Sequence, residues 1–572
     1  MNIFTSNENF VVYGIGNKTE QLLKKYDFRI LGIMDSEKTG QVLYGKKVLS
    51  EQEVNDCKVK AIVIAARAAN IPIIYRRIKK FCTDNQILCY NLEGEEIKSK
   101  VSKKIFSLSI ENIDFLKRRI DEVDVVSFDV FDTLICRKCL YPTDVFELMK
   151  LPSEANKNIF EMEYELAIPR NEVIELFRYA VKRGKDVCCV SDMYLNSEQI
   201  FQILKKCRIH IRKTNLFVSS DYKIDKEHGL FSKIKMKYGE KSILHIGDSL
   251  EADYNAAKEY GLNAVQIESR LERLQNTSYS VLLDYDKSLD NRMVIAYALN
   301  SSFSDLSLIA PIIYKFTSWL KECSKEYDMV LLGARDGYLI DAIQKKIKKY
   351  QFRGEYFLTS RTASTSASIF TTDDIENIKK YPFLGTKEKM YEKRFATLKI
   401  LSDDELISHS EMLRTNYISY IHTFGISSKL KIAFMDFVSV GTCFYALKKI
   451  LPFEIEGLFA IKLGEESDEI KAMFSDYMNS ALYKNYFLLE QILCSLKPSL
   501  MYFTDGGKTI YFEEKRTSRE LLNLEKLQNE ILKYGNEMEI VDFNQVDLEL
   551  CDFLYGLCQQ IAFSSEDEFC GR

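Results

Sequence analysis

The chain of 572 residues carries 79 Lys and Arg against 83 Asp and Glu, a net charge of −4, which gives no reason to expect a nucleic-acid partner. With 46% hydrophobic and 28% charged residues the composition is that of a folded protein rather than a disordered one, and the length implies two to four domains. The opening stretch MNIFTSNENF lacks the basic start and apolar run of an export signal, so the 14 cysteines are expected as free thiols in a cytoplasmic protein, either soluble or peripheral at the inner face of a membrane.

In residues 1–100 short apolar strands alternate with helical stretches: NFVVYGIG, KTEQLLKKY, RILGIMD, VKAIVIAA and the basic PIIYRRIKKF. This alternation predicts a parallel sheet with crossover helices, a Rossmann-like domain. GIGNKT puts Gly14 and Gly16 at a strand-to-helix turn where backbone amides would face a phosphate, and Asp35 lies where a ribose-binding acid often sits. These three are the cofactor-binding candidates. Thr19 stands in place of the third glycine, so a scaffold or docking domain without a ligand fits the same residues. The segment resembles the small Rossmann-like domain that precedes some sugar-modifying enzymes of surface-polysaccharide synthesis, including the N-terminal part of sugar O-acyltransferases.

The lysine-rich EEIKSKVSKK reads as a linker into the second segment, 101–285, which opens on the strand VVSFDVFDTLICRK. Its tip delivers Asp129, Asp132 and the hydroxyl of Thr133, the last a substrate-binding candidate. CRKC, Cys136 to Cys139, has half of a zinc-knuckle spacing and no second pair to complete it. A carboxylate that attacks phosphorus needs a metal to neutralise two approaching anions, a cation to hold the phosphate and a hydroxyl to orient it. Each is present downstream. KDVCCVSDMYL is a strand ending in Ser191, SSDYKIDKEHGLF carries Lys223 and Lys226 on a loop, and SILHIGDSLEAD ends a third strand in Asp248, with Asp253 five residues on.

Strand-Asp, strand-Ser, Lys and GDSLEAD, in that order, resemble the haloacid dehalogenase superfamily of phosphohydrolases over about residues 120 to 270. The resemblance implies an α/β Rossmannoid domain with Asp129 as nucleophile, Ser191 on the phosphoryl oxygens and Lys226, which precedes EHG, as the lysine. It further implies Mg²⁺ held by Asp129 and Asp248 with Asp253 in support. One place departs: the second aspartate of the superfamily falls on Phe131, and Asp132 stands a residue further along, where an extended strand would turn it away. Asp132 is a general-acid candidate only if the strand has ended. The insertion from Arg137 to about Ala180 is short, a small cap over an open site suited to a bulky substrate.

The third segment, 286–572, repeats the strand pattern at YDMVLLGARDG, GEYFLTSR, KIAFMDF and EIEGLFAIK, with a polar helical insertion at about 371–430 and a charged helical tail from Glu514. MDFVSVGT places Asp436 at a strand end, with Ser439, Gly441 and Thr442 opening a helix whose amides suit a phosphate. Arg335 and Asp336 in GARDGYL, and Arg361 in LTSRTAS, are further substrate-binding candidates. These loops resemble the ribose-phosphate and diphosphate loops of the type I phosphoribosyltransferases, although Met435 replaces the first of the usual paired acids. Tight turns of a Rossmann-like sheet account for the same residues.

The fold class implied is α/β in three domains: N-terminal Rossmann-like, central haloacid-dehalogenase-like with a small cap, and C-terminal phosphoribosyltransferase-like with helical insertions. The pairing resembles the modules that install ribofuranose in bacterial capsules and O-antigens. It implies phosphoribosyl diphosphate and an acceptor glycan, free or lipid-linked, as substrates, and association with polysaccharide assembly enzymes. A lone phosphatase with flanking binding domains, and a non-enzymatic interaction platform, remain open alternatives.

Overall fold

The structure is a computed structural model, and it describes residues 2–6, 8–35, 38–66, 71–97, 108–380, 383, 385–426 and 429–562. The protein is α/β and forms two compact units, Met1–Val101 with Ile309–Ile540 and Cys551–Arg572, and Ser102–Leu308 with Val541–Leu550. The unit boundary near residue 308 keeps the helix Leu289–Asn300 with the central segment rather than with the third.

Three parallel sheets carry the architecture. The first joins β1 (Phe10–Tyr13), β2 (Ile30–Met34), β5 (Ala61–Ile64) and β6 (Leu88–Tyr90) in the order β2-β1-β5-β6, and a small hairpin of β3 (Val42–Leu43) and β4 (Lys46–Lys47) follows β2. The second joins β7 (Val125–Asp129), β10 (Asp186–Ser191), β11 (Leu216–Val218), β12 (Ile243–Gly247) and β13 (Asn263–Gln266) in the order β11-β10-β7-β12-β13. A separate antiparallel pair, β8 (Ile135–Arg137) and β9 (Ala167–Pro169), brackets the short insertion and its helices Asp144–Leu148 and Ile159–Leu166. The third sheet joins β14 (Met329–Gly333), β15 (Gly354–Phe357), β16 (Ile432–Ser439), β17 (Ile455–Lys462) and β18 (Ile470–Ala472) in the order β15-β14-β16-β17-β18. The polar stretch after β15 holds the helices Thr372–Lys379, Lys387–Phe395 and Asp403–His422, and the hairpin β19 (Leu500–Phe503) and β20 (Thr509–Tyr511) lies beyond.

The central strands read as unbroken apolar runs because both faces of a parallel sheet are covered. In β7 successive residues divide between two cores: Val126 and Phe128 pack with Phe177 and Ile200, Val125 with Phe231 and Ile243. In the second sheet Ser127 of β7 and His245 of β12 interrupt these runs and satisfy each other, with Ser127 Oγ 2.9 Å from His245 Nδ1. Helix starts are written locally, as in the reciprocal caps Asn196 with Gln199 and Ser402 with Glu405.

Each sheet order reverses once: between β1 and β5, between β7 and β12, and between β14 and β16. At such a reversal the connections leave to opposite faces, which opens a crevice beyond the strand ends where open α/β sheets bind ligands. All three sets of candidate loops lie at these positions.

Candidate functional site

At the β7/β12 reversal, Asp129 closes β7 and Asp248 follows β12, while Asp253 comes from the π-helical turn Leu250–Asn255. One carboxylate oxygen from each of the three lies within 4.8 Å of the others. Asp253 reaches this place because residue 247 is glycine: a Cβ there would stand 2.3 Å from Asp253 Cγ. Its second oxygen accepts the Ser249 N–H at 3.0 Å, and His245 Nε2 lies 3.0 Å from the first.

Lys226 enters from the π-helical turn Lys226–Leu230 and is buried, with Nζ 2.5 Å from both Asp129 Oδ1 and Asp253 Oδ1. Both oxygens of Asp192 accept its backbone N–H, at 3.1 and 3.0 Å, which pins the turn. Lys223, the other lysine of the loop, caps a short helix in the left-handed conformation and has no part in this cluster. Ser191 ends β10 beside Asp129, its preceding residue Val190 being in register with that acid.

One ammonium against three carboxylates leaves the cluster anionic. Burial, opposed by Lys226, pushes Asp129 up to about 7, and burial with repulsion from Asp129 pushes Asp248 up to about 8. Burial would raise Asp253 too, but Lys226 and His245 outweigh it and hold that carboxyl below its usual range. An all-oxygen, over-charged donor set is the kind that a hard divalent cation neutralises, so these three acids could hold one. Thr133, expected at the substrate, is instead fully buried and donates to Asp248 Oδ1 at 3.1 Å. In this arrangement its hydroxyl orients an acid.

Asp132 lies past the strand, at φ +60°, the left-handed region that Asp tolerates better than most residues. Its carbonyl accepts from Arg170 Nη1 at 2.7 Å, and its carboxylate stands 3.6 Å from Arg137, which is itself held by Glu163 at 2.9 and 3.1 Å. The turn therefore swings Asp132 back, and the alternation expected of an extended strand does not apply. It lines a cavity of about 460 Å³ with Phe131, Phe146, Asp192 and Tyr194. Burial by this rim raises its pKa, opposed by Arg137. Its charge also bears on Asp248.

At the β14/β16 reversal the structure gathers a second set. Arg361, Ser439 and Thr442 line a cavity of about 1020 Å³ together with Lys393, Arg394 and Lys449. Asp436 does not end its strand: β16 continues to Ser439 because Val438 and Ser439 still pair with Ile461 and Lys462 of β17. Its Oδ1 accepts the N–H of Phe437 at 2.9 Å. Ser439 Oγ accepts the N–H of Gly441 at 3.0 Å, and Gly441 caps the helix Thr442–Ile450. Asp336 caps Gly337–Lys346 without using its side chain, is nearly buried, and its Oδ1 has no hydrogen-bond partner among the described residues. Burial and repulsion from Glu490 raise Asp336 well above the usual range.

At the β1/β5 reversal, Gly14 (φ +113°) approaches Ala65 so closely that a Cβ would lie 3.0 Å from its carbonyl oxygen. Gly16 caps the helix Asn17–Tyr26 and Asp35 follows β2. Thr19, in the third-glycine place, is buried and donates to the Gly14 carbonyl at 2.8 Å. This turn is closed by its own side chain, which accounts for the departure from the glycine pattern.

Sequence reasoning missed Glu490, on the helix Ala481–Leu493, and the buried His245, Arg170 and Arg137. No protein-family model and no curated protein matches the chain. No helix among the described residues is long and apolar enough to cross a membrane.

Proposed function

We propose that the central segment is a Mg²⁺-dependent phosphatase of the haloacid dehalogenase type. The observation that carries this reading is the buried cluster of Asp129, Asp248 and Asp253 at the sheet reversal, with Lys226 bridging two of them. Asp129 attacks phosphorus and forms an aspartyl phosphate, while Lys226 and Ser191 hold the phosphoryl oxygens. Bound Mg²⁺, held by the three acids, would supply the charge neutralisation that lets one anion attack another. Asp132, swung towards the site and raised in pKa, protonates the departing alcohol.

The third sheet, on this proposal, transfers a 5-phosphoribosyl group from phosphoribosyl diphosphate to an acceptor glycan, and the phosphatase then removes the 5-phosphate to leave ribofuranose. The basic lining of the 1020 Å³ cavity and its helix N-terminus at Thr442 support a polyanionic donor. The three-domain division, with a small cap and a scaffold-like first domain, and a place in surface-polysaccharide assembly at the inner face of the membrane, belong to the same reading.

The test incubates the full chain with phosphoribosyl diphosphate, Mg²⁺ and a panel of acceptor glycans, measuring diphosphate and phosphate separately. Diphosphate appearing before phosphate is the expected result. Phosphate released from phosphosugars with no diphosphate leaves only the phosphatase, and no release from a folded sample leaves an interaction platform.

A further inference from the structure

Two cavities beside the β14/β16 reversal share a wall. Lys393, Phe487 and Glu490 line both the larger one, of about 1020 Å³, and a smaller one of about 410 Å³. Their chemistry differs. The larger has Arg361, Arg394 and Lys449 in its lining, with Lys449 offset by Asp374 at 2.6 Å, and it takes in the start of the helix at Thr442. Those groups suit a ligand of several negative charges. The smaller is walled by Phe512, with Lys393 Nζ 3.6 Å from its ring centre, and by Pro498, Ser499 and Asn523. Its Arg516 is already neutralised by Glu514, at 2.9 and 2.7 Å. Lys497, Lys515, Glu513 and Glu520 line it as well, so its charges are close to balanced, and a near-neutral lining with an aromatic wall suits a hydroxyl-rich glycosyl unit.

Glu490 stands on the shared wall. Its side chain is 15% exposed, and among the described residues its polar contact is one long hydrogen bond, from Arg335 Nη2 at 3.5 Å. That leaves carboxylate lone pairs facing cavity space. Asp374 lines the larger cavity alone and Glu513, Glu514 and Glu520 the smaller alone, while Asp436, which spends an oxygen on the Phe437 N–H inside β16, and Asp336 line neither.

We infer that Glu490 is the catalytic base of the transfer, with the donor in the larger cavity and the acceptor hydroxyl presented from the smaller. The inference rests on the transferase reading above. The acceptor oxygen forms a bond to the anomeric carbon of the ribosyl group, the bond from that carbon to the diphosphate breaks, and the electron pair leaves with the diphosphate. The hydroxyl proton passes to the Glu490 carboxylate. Burial and the nearby Asp436, opposed by Arg335, strengthen that carboxylate as a proton acceptor.

The test compares wild type, Glu490→Gln and Glu490→Ala as full chains. Donor binding is measured by calorimetry with phosphoribosyl diphosphate and Mg²⁺, and diphosphate release is followed with a panel of methyl hexosides. Where no hexoside accepts, water serves as the acceptor, since it needs the same base. Glu490→Gln should bind the donor within about twofold of wild type while release falls on the order of 10²- to 10⁴-fold. Formate, a small carboxylate, should partly restore Glu490→Ala and not Glu490→Gln, a response that a merely structural role would not give. Release within threefold of wild type in Glu490→Gln, or donor affinity lost in step with release, overturns the role of Glu490 and leaves the transferase reading standing. Wild type that neither binds the donor nor releases diphosphate overturns both.

Discussion

The sites after β7 and after β14 occupy equivalent places on their sheets and are built in opposite ways. After β7 the charges are closed on one another: Lys226 touches two carboxylates at 2.5 Å, and side-chain exposure of that lysine is 4%. After β14 the charges are spread around open space: Arg335 and Glu490 stand 3.5 Å apart with the arginine 49% exposed, and Lys449, paired to Asp374 at 2.6 Å, is 53% exposed. On the proposed reading, the compact cluster is set before its ligand arrives and a cation would complete it. A dispersed set waits for the ligand's own charges to bring its members to bear. The contrast predicts that chemistry in the first site fails at single atoms, whereas stability in the second is insensitive to its cations.

The largest effect falls on Asp129. Asp129→Asn should lower phosphate release by at least about 10³-fold while the chain stays folded, because the amide keeps the shape and loses the nucleophile. In the paired model it should also accumulate a phosphoribosylated glycan; diphosphate release that stops as well would break the proposed order of steps. Next come the two cations. Lys226→Met leaves buried carboxylates uncompensated and should destabilise by about 3 to 5 kcal/mol in denaturant melts, recovered in part by Mg²⁺. Arg335→Met, at a half-exposed pair, should change stability by no more than about 1 kcal/mol. Equal losses would remove the contrast between the sites. Asp132→Asn should slow release of an alkyl alcohol by on the order of 10²-fold and that of a nitrophenolate far less, since a good leaving group needs no proton. Equal slowing of both would deny Asp132 the role of acid.

Much of the first site was legible because its residues ride on strand ends. The apolar runs before Asp129, Ser191 and Asp248 set both the strands and the register at which acids emerge, and their order in the chain carried the family resemblance. Asp132 was not legible. Whether it faces the site depends on one backbone turn at φ +60°, which the alternation rule cannot see once a strand has ended. The bond from Thr133 to Asp248 is not legible either: a hydroxyl beside a strand tip carries no mark of which acid it meets. Glu490 left no signal at all. In NYFLLEQIL it is an ordinary polar position of a helix, and only tertiary packing brings it to the wall between two cavities. The dispersed site is less legible than the compact one where its members, Lys393, Arg394 and Glu490, come from helices rather than from the strand ends that carry Arg335, Arg361 and Ser439.

The smallest effect tests whether the dispersed site carries a standing cost. Asp336 is buried with an oxygen lacking a partner among the described residues, and its pKa is raised well above the usual carboxylate value, first by burial and then by repulsion from Glu490. A carboxyl raised on folding binds its proton more tightly in the native state than in the unfolded chain. Stability is therefore lost as pH rises from the unfolded value near 4 (about 3.9 for Asp) through the raised native one. Asp336→Asn removes the charge and should make the protein more stable than wild type at pH 8, by about 1 to 3 kcal/mol, with the gain vanishing at pH 4. Denaturant midpoints at the two pH values measure this. A variant less stable than wild type at pH 8 would mean that the carboxylate is already satisfied and that the second site is as closed as the first. A gain in stability accompanied by weaker donor binding would mark Asp336 as a group kept in a strained environment for its ligand, the same cost that Asp129 and Asp248 carry in the compact site.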